Sequence, residues 1–115
     1  MRDFEAIICI VNSGYEDQVM SDAKEYGASG GTIISAKGTA KNDAEKFFGL
    51  SIHPDKNILL IIAPTKIKDN ILKGIYNSFN INREAQGVLF TLPVDNVSEN
   101  LLKQLDNLNE NKENE

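Results

Sequence analysis

The chain has 115 residues, 41% of them hydrophobic, and a formal net charge of −5. This length is typical of one domain that buries a core without disulfides or metal. Its single cysteine, Cys9, excludes an internal disulfide and lies in an apolar run, which predicts a buried structural thiol. The acidic balance argues against nucleic-acid binding, because attraction to phosphate requires clustered Lys and Arg. With one histidine besides the cysteine, a transition-metal site of His and Cys type is disfavoured.

No apolar run approaches the roughly 18 residues of a membrane span. The first residues, MRDFEAIICIV, are partly charged and contain no cleavage-site pattern, which argues against a signal peptide. A cytoplasmic location is therefore expected.

The first part of the chain predicts a strand, a helix and a second strand. The apolar run from Phe4 to Val11 is typical of a strand at the centre of a sheet. Apolar residues then recur at helical spacing from Tyr15 or Glu16 to Tyr26, and Gly27 ends this helix. The alternating stretch Thr32 to Lys37 predicts the second strand. The glycines between helix and strand either serve only the turn or let backbone amides approach an anion, and the turn alone is the simpler interpretation.

Regular patterning stops between Gly38 and about Ser51. This segment is either a loop or contains a short helix from Asp43 to Phe48. The pair Phe47-Phe48 packs back onto the domain or docks onto another subunit, and the sequence leaves both open. Asp43 and Glu45 are interpreted as solvated carboxylates, and His53 as part of a turn that runs to Lys56.

The second part of the chain repeats the strand–helix–strand order. The predicted elements are a strand from Asn57 to Pro64, a helix from about Lys66 to Ser78, a loop from Asn80 to Gln86 and a strand from Gly87 to Val94. Pro93 cannot donate to a ladder, so the end of the fourth strand is expected to lie at a sheet edge or to leave the sheet. A last helix should begin between Asp95 and Ser98 and carry Leu101, Leu102, Leu105 and Leu108. We therefore expect a domain over residues 1–97, then a C-terminal helix and a disordered acidic tail over 98–115.

This element order predicts an α+β fold, the ferredoxin-like βαββαβ sandwich. In this fold an antiparallel four-stranded sheet carries two helices on one face. The first and third strands are apolar on both faces, so the open face of the sheet requires a cover. Oligomerisation is the simplest way to provide one.

Three segments, GASGGTIISAKGTA, FFGLSIHPDKNILLIIAP and QGVLFTLPVDNV, resemble the PII nitrogen-regulatory signalling proteins and their PII-like relatives. The resemblance extends from about Phe4 to Val97. It implies a ferredoxin-like homotrimer that binds an adenine nucleotide, ATP or ADP, in clefts between subunits, with Mg²⁺ able to accompany the nucleotide. It also implies that loop 39–50 changes its arrangement with the ligand and so regulates a partner transporter or metabolic enzyme. The protein itself is then a regulator and not an enzyme.

The same resemblance assigns roles to individual residues. The adenine and ribose side of the cleft corresponds to Ile7, Thr32, Gly38 and Ile61. The phosphate loop corresponds to Gln86 and Gly87, followed by Val88. Independently of the resemblance, the chain positions of Lys37, Gly38 and Thr39 allow them to contact both phosphate and loop. The candidate cations for the phosphates are Lys37, Lys41, Lys56 and Arg83.

The chain departs from the family pattern where phosphate charge is usually neutralised. Val88 stands where typical members have a basic residue, and Ser98 to Leu101 contain no cation. These departures weaken the case for ATP and are compatible with ADP, AMP or a different ligand. The alternative is therefore a binding module of the same fold for a cyclic dinucleotide or a metal ion. A slow nucleotide hydrolase and a structural trimer with an empty cleft are further alternatives. The loop also lacks the tyrosine that some relatives have uridylylated.

Overall fold

The computed structural model describes residues 3–39 and 55–105, which form four strands together with helices. In chain order these are β1 (Phe4–Asn12), α1 (Glu16–Glu25), β2 (Thr32–Lys37), β3 (Asp55–Pro64), α2 (Thr65–Ile81), a 3-10 helix (Arg83–Ala85), β4 (Val88–Val94) and a helical segment, α3, at residues 99–105. The sheet order is β2-β3-β1-β4, and every neighbouring pair is antiparallel. The predicted ferredoxin-like sheet is confirmed, and β4 lies at an edge as Pro93 requires.

Both ends of α1 follow from local chemistry. Glu16 lies in the first turn, where a carboxylate suits the helix dipole, and its Oε2 accepts a hydrogen bond from the Gly14 amide at 2.7 Å. The helix ends at Tyr26, and Gly27 then adopts a φ of +120°, a backbone conformation that favours glycine. The predicted bounds of α1 are therefore confirmed.

The core lies between the helices and one face of the sheet. Alternate residues of the central strands point toward the helices, because side chains alternate between the faces of a strand. Ile7, Cys9 and Val11 of β1 are fully buried there with Leu59 and Ile61 of β3. The helices contribute Val19, Met20 and Ala23 from α1, and Ile71 and Ile75 from α2.

The other sheet face is apolar and only partly covered. Val88, Phe90 and Leu92 of β4 are about half exposed, at 53%, 43% and 49%. Their partners in the adjacent strand are Ile10, Ile8 and Ala6, in that order. Helix α3 lies over the opposite half of this face, where its Leu101 and Gln104 border a cavity with Leu60 and Ile62 of β3. The sequence predicted such an incompletely covered sheet face, which we call the open face.

Some element bounds differ from the expected ones. Strand β3 begins at Asp55 rather than Asn57, because Lys37 and Ala36 extend the β2 ladder to Asp55 and Lys56. Helix α2 continues to Ile81, where the backbone and side-chain N–H groups of Asn82 both donate to the Ser78 carbonyl. Residues 83–85 of the expected loop form the 3-10 helix.

Ser98 caps α3, since its Oγ accepts a hydrogen bond from the Leu101 amide at 3.2 Å. The expectations for Lys41, the Asp43–Phe48 segment, the Phe47-Phe48 pair, His53 and the tail after residue 105 lie outside the described residues. Within the described ranges, no helix is long and apolar enough to cross a membrane.

Candidate functional site

Polar side chains gather at the end of the sheet where β1 and β2 finish and β3 begins. The antiparallel register places Asn12 beside Lys56, and Lys37 beside Asp55. The 3-10 helix and the turn before β4 lie at the same end, because Asn12 Nδ2 donates to the Glu84 carbonyl oxygen at 2.8 Å. Tyr15 reinforces this junction by donating from its hydroxyl to Glu84 Oε2 at 3.0 Å, which raises the pKa of the tyrosine.

The first cavity at this end is a cleft of about 540 Å³, which we call the loop-root cleft. It is bordered by both ends of the 40–54 segment, Gly38 and Thr39 on one side and Asp55 and Lys56 on the other. Asn12, Ser13 and Gln86 complete its lining.

Lys56 is held in place within the loop-root cleft. Its Nζ donates to Asn12 Oδ1, and its aliphatic stem passes over Gly38. A Cβ added at Gly38 would lie 2.9 Å from Lys56 Cε, so glycine leaves room for the lysine stem. The cleft therefore contains one ammonium group whose position is fixed by an amide oxygen.

Gln86 forms the far wall of the loop-root cleft in a strained conformation. Its φ and ψ of 49° and 51° lie in the left-handed region that few side chains adopt. Gly87 follows under the Phe79 ring, where an added Cβ would lie 2.3 Å from ring carbons. This contact fixes the turn that carries Gln86 into the cleft.

A second cavity, of about 330 Å³, lies on the face of the β2–β3 strand pair that is turned toward the helices. We call this cavity the helix-side cleft and the strand pair the hairpin. Ser35 and Lys37 of β2 face Asn57 and Asp55 of β3 there. The lining is completed by Ser13, Ala36 and Lys56. Because successive residues alternate between faces, Lys37 and Lys56 project to opposite sides of the hairpin.

A third cavity, of about 510 Å³, lies on the open face beneath α3. Its wall combines the glycine-rich joint with β2 and β3, and its lining residues are Ser29, Gly30, Gly31, Thr32, Leu60, Ile62, Leu101 and Gln104. Gly31 has a structural role there, since a Cβ would lie 2.8 Å from the Leu60 carbonyl oxygen.

The structure brings together four of the residues proposed from the sequence and separates the others. Gly38, Thr39, Lys56 and Gln86 line the loop-root cleft. The others lie elsewhere: Lys37 in the helix-side cleft, Thr32 under α3, Gly87 below Phe79, and Arg83 and Val88 exposed outside these three cavities.

The expected placement of Ile7 and Ile61 on a cleft wall is corrected. Both side chains are fully buried in the core beneath the helices, so neither reaches a surface cavity. Their strands present the alternate residues to the open face, and on β3 these are Leu60 and Ile62.

Sequence reasoning missed Asn12, Ser13, Asp55 and Asn57 as cleft residues. The sequence Asn12-Ser13-Gly14 has the composition of a turn between the first strand and the first helix, which by itself gives no indication of a cleft. An antiparallel pairing of β1 with β3 places the end of one strand beside the start of the other, so this pairing was the signal available for finding them.

Metal and thiol chemistry have little support among these residues. In residues 3–39 and 55–105, no group of three or more His, Cys, Asp or Glu side chains could hold a metal ion. Burial raises the pKa of the Cys9 thiol to about 12, so this side chain is a protonated core residue at neutral pH.

Solved structures with a similar fold include two proteins of the PII type. PII from Arabidopsis thaliana bound to citrate aligns with a TM-score of 0.64 and 20% identity, over 84% of this chain and 80% of the other. The nitrogen regulatory PII-like protein CPII from Thiomonas intermedia, bound to ADP, AMP and bicarbonate, aligns with a TM-score of 0.61 and 12% identity, over 83% and 93%. CutA from Synechococcus elongatus aligns with a TM-score of 0.69 and 11% identity, over 94% and 91%.

At these identities the structural likeness shows the fold alone. No curated protein matches the sequence significantly. The sequence profile of the family described as nitrogen regulatory protein P-II, however, matches residues 4–100, most of the chain. The chain therefore belongs to the PII family of signalling proteins.

Proposed function

We propose that this protein is a regulator that binds an adenine nucleotide in the loop-root cleft and signals through the segment 40–54. One observation carries the proposal: both ends of that segment, Thr39 and Asp55, border the same cleft. A ligand in the cleft therefore contacts both anchors of the segment. The Thiomonas relative, which is bound to ADP and AMP, supports an adenine nucleotide as the ligand class.

Lys56 is the cation that we assign to the phosphates. Asn12 orients its ammonium group, and the aliphatic stem lies against Gly38, so little side-chain freedom is lost when a phosphate binds. Asp55 and the Thr39 hydroxyl lie in the same lining and are oxygen ligands of the kind Mg²⁺ accepts alongside phosphate oxygens. A bound Mg²⁺ would offset the repulsion between Asp55 and phosphate. Among residues 3–39 and 55–105, Lys56 is the one lysine that lines this cleft, and a single ammonium group favours ADP or AMP over ATP.

The open face provides a reason for assembly. Val88, Phe90 and Leu92 form a half-exposed apolar row on β4, and burying such a row in a second copy removes it from water. We infer a homotrimer in which each nucleotide site forms between two copies. The cavity beside Thr32 on one copy contacts the adenine base, and the loop-root cleft of the next copy completes the site.

The signal is a shift between arrangements of the 40–54 segment. A ligand can shift such an equilibrium only if it contacts the two arrangements differently. Thr39 and Asp55 supply the differing contacts, because each belongs to the cleft and is joined directly to the segment. The shifted arrangement then binds or releases a partner protein, a transporter or an enzyme, and no catalytic step by this chain is invoked.

The decisive experiment is calorimetric titration of the protein with ATP, ADP, AMP and cyclic di-AMP, with and without Mg²⁺. We expect one adenine mononucleotide to bind, one per subunit, and Lys56→Met to weaken its binding. Loss of a charge-assisted hydrogen bond costs about 1.5–3 kcal/mol, so the dissociation constant should rise about tenfold to a hundredfold.

Lys66→Met is the matched control, because Lys66 is an exposed lysine of α2 that lines neither cleft of the hairpin. Equal effects of the two variants on nucleotide affinity would show that Lys56 does not contact the nucleotide. Binding of cyclic di-AMP alone, or of citrate as in the Arabidopsis relative, would replace the nucleotide proposal with a different ligand.

A further inference from the structure

The helix-side cleft shares Ser13, Asp55 and Lys56 with the loop-root cleft, and it adds three polar side chains, those of Ser35, Lys37 and Asn57. Asn57 lines this cleft and is a buried polar side chain, with 7% of its surface exposed. A polar group buried at such a position is costly unless it has hydrogen-bonding partners. Asn57 Nδ2 donates to Ser13 Oγ at 3.4 Å, which is long for a hydrogen bond.

The hydrogen-bond donors of this cleft are available to a bound molecule. Ser13 Oγ already accepts from Asn57, so its hydroxyl proton is directed to another acceptor. Ser35 and Lys37 lie on the same side of β2, and neither has a side-chain hydrogen bond or ion pair within the described residues. Two hydroxyls and an ammonium group thus converge on one small volume.

Negative charge lies beside these donors. Asp55 faces Lys37 across the β2–β3 ladder and lines the same cleft, yet no ion pair joins the two side chains in this part of the structure. Glu16 lies near this cleft. The pKa of the Glu16 carboxyl group is lowered mainly by a hydrogen bond from the Glu16 backbone amide, and a hydrogen bond from Asn57 also lowers it. A dianion would be repelled by the two carboxylates, and a simple cation by Lys37. A molecule with both charges, a carboxylate next to an ammonium group, complements the arrangement.

We propose that the helix-side cleft binds a small zwitterion of the free amino-acid type. Lys37 and the Ser13 and Ser35 hydroxyls hold its carboxylate, and Asp55 holds its ammonium group. The volume of about 330 Å³ lies at the lower end of ligand pockets and suits an amino acid with a short side chain. The charged groups are solvent-accessible, so we expect millimolar affinity.

The test is a titration of ¹⁵N-labelled full-length protein with L-alanine, followed by the amide signals of Ser13, Ser35 and Asn57. We expect saturable shifts at these signals, with acetate and methylammonium binding at least tenfold more weakly because each satisfies half of the site. Lys37→Met and Asp55→Asn should each weaken L-alanine binding about tenfold, and Lys66→Met should leave it unchanged.

Each variant is first compared with the wild type by thermal unfolding, so that loss of binding is separated from loss of folding. The proposal is overturned if L-alanine causes no saturable shift in the wild type, or if acetate binds as tightly as L-alanine. The titration contains no nucleotide, so its outcome is independent of the nucleotide site proposed above.

Discussion

At the scale of single residues, Ser78 is a polar side chain placed where the fold requires an apolar one. It lies on the buried side of α2, is 1% exposed, and its Oγ has no hydrogen-bond partner among the residues that the structure describes. An unsatisfied buried hydroxyl reduces stability because it loses its bonds to water without replacing them.

Ser78→Ala should therefore stabilise the protein. Removing the unsatisfied hydroxyl contributes about 1 kcal/mol, and the higher helix propensity of alanine contributes about 0.5 kcal/mol. Ser21→Ala, an exposed position within α1, is the control and should show the propensity effect alone. Urea unfolding of the two variants measures the difference, and a Ser78→Ala variant less stable than the wild type would show that the hydroxyl has a function in the fold.

Residue-level prediction from the sequence depended on which face each side chain occupies. The pattern identified β1 and β3 as strands, but both are apolar on both faces, so hydrophobicity could not distinguish one face from the other. Ile7 and Ile61 were assigned to a cleft wall from the family resemblance alone, and both side chains lie in the core of the single chain. Gly38 was assigned from the same resemblance and Lys56 from its position at the start of the third strand, and both line the loop-root cleft.

At the scale of elements, α1 and α2 approach closely at one glycine. Gly74 of α2 lies against the ring of Tyr26, and Asn70 and Asn77 on either side donate to the Tyr26 carbonyl and hydroxyl oxygens at 2.7 and 3.2 Å. The glycine thus allows the ring to lie directly on the helix surface, between two hydrogen bonds that fix it.

Gly74→Ala should destabilise the protein despite the higher helix propensity of alanine. The new Cβ would lie 2.4 Å from Tyr26 Cδ2, and such overpacking costs up to about 3 kcal/mol. Alanine recovers about 1 kcal/mol in a helix, which leaves a net loss of about 2 kcal/mol.

Chemical denaturation measures this loss, and a double-mutant cycle with Tyr26→Leu assigns it, since the smaller side chain should remove most of the penalty. Lys73→Ala, on the exposed side of the same helix, should be close to neutral. If Gly74→Ala proved neutral as well, the close packing at Tyr26 would not limit stability.

The order and type of the elements were predictable, and their ends less so. Helical spacing of apolar residues predicted α1 and α2, alternation predicted β2, and continuous apolar runs predicted β1 and β3. The extension of α2 to Ile81 depends on the cap at Asn82 and on the 3-10 helix that follows. Neither of these produces a periodic pattern of apolar residues in the sequence. The clefts depend on which strand ends become neighbours, so they followed from topology rather than from any motif.

At the scale of the whole molecule, the open face connects assembly to ligand binding. The β4 row is half exposed in a single copy, while the described part of α3, residues 99–105, lies over the β2–β3 half of the face. Under the proposed trimer, the Thr32 cavity and the loop-root cleft contribute to one site from different copies. Loss of assembly should then cause loss of nucleotide binding even though every residue of the cleft is unchanged.

Phe90→Asp tests this connection. A carboxylate in the centre of the row would have to be buried unpaired in the interface, which costs several kcal/mol, so we expect a monomer in sedimentation velocity. Ile81→Asp is the matched control, because Ile81 is 81% exposed at the end of α2, away from the open face. The control should remain assembled and bind nucleotide like the wild type. A monomeric Phe90→Asp variant that binds nucleotide with wild-type affinity would show that the loop-root cleft of one copy suffices, and an assembled variant would show that the trimer forms through another surface.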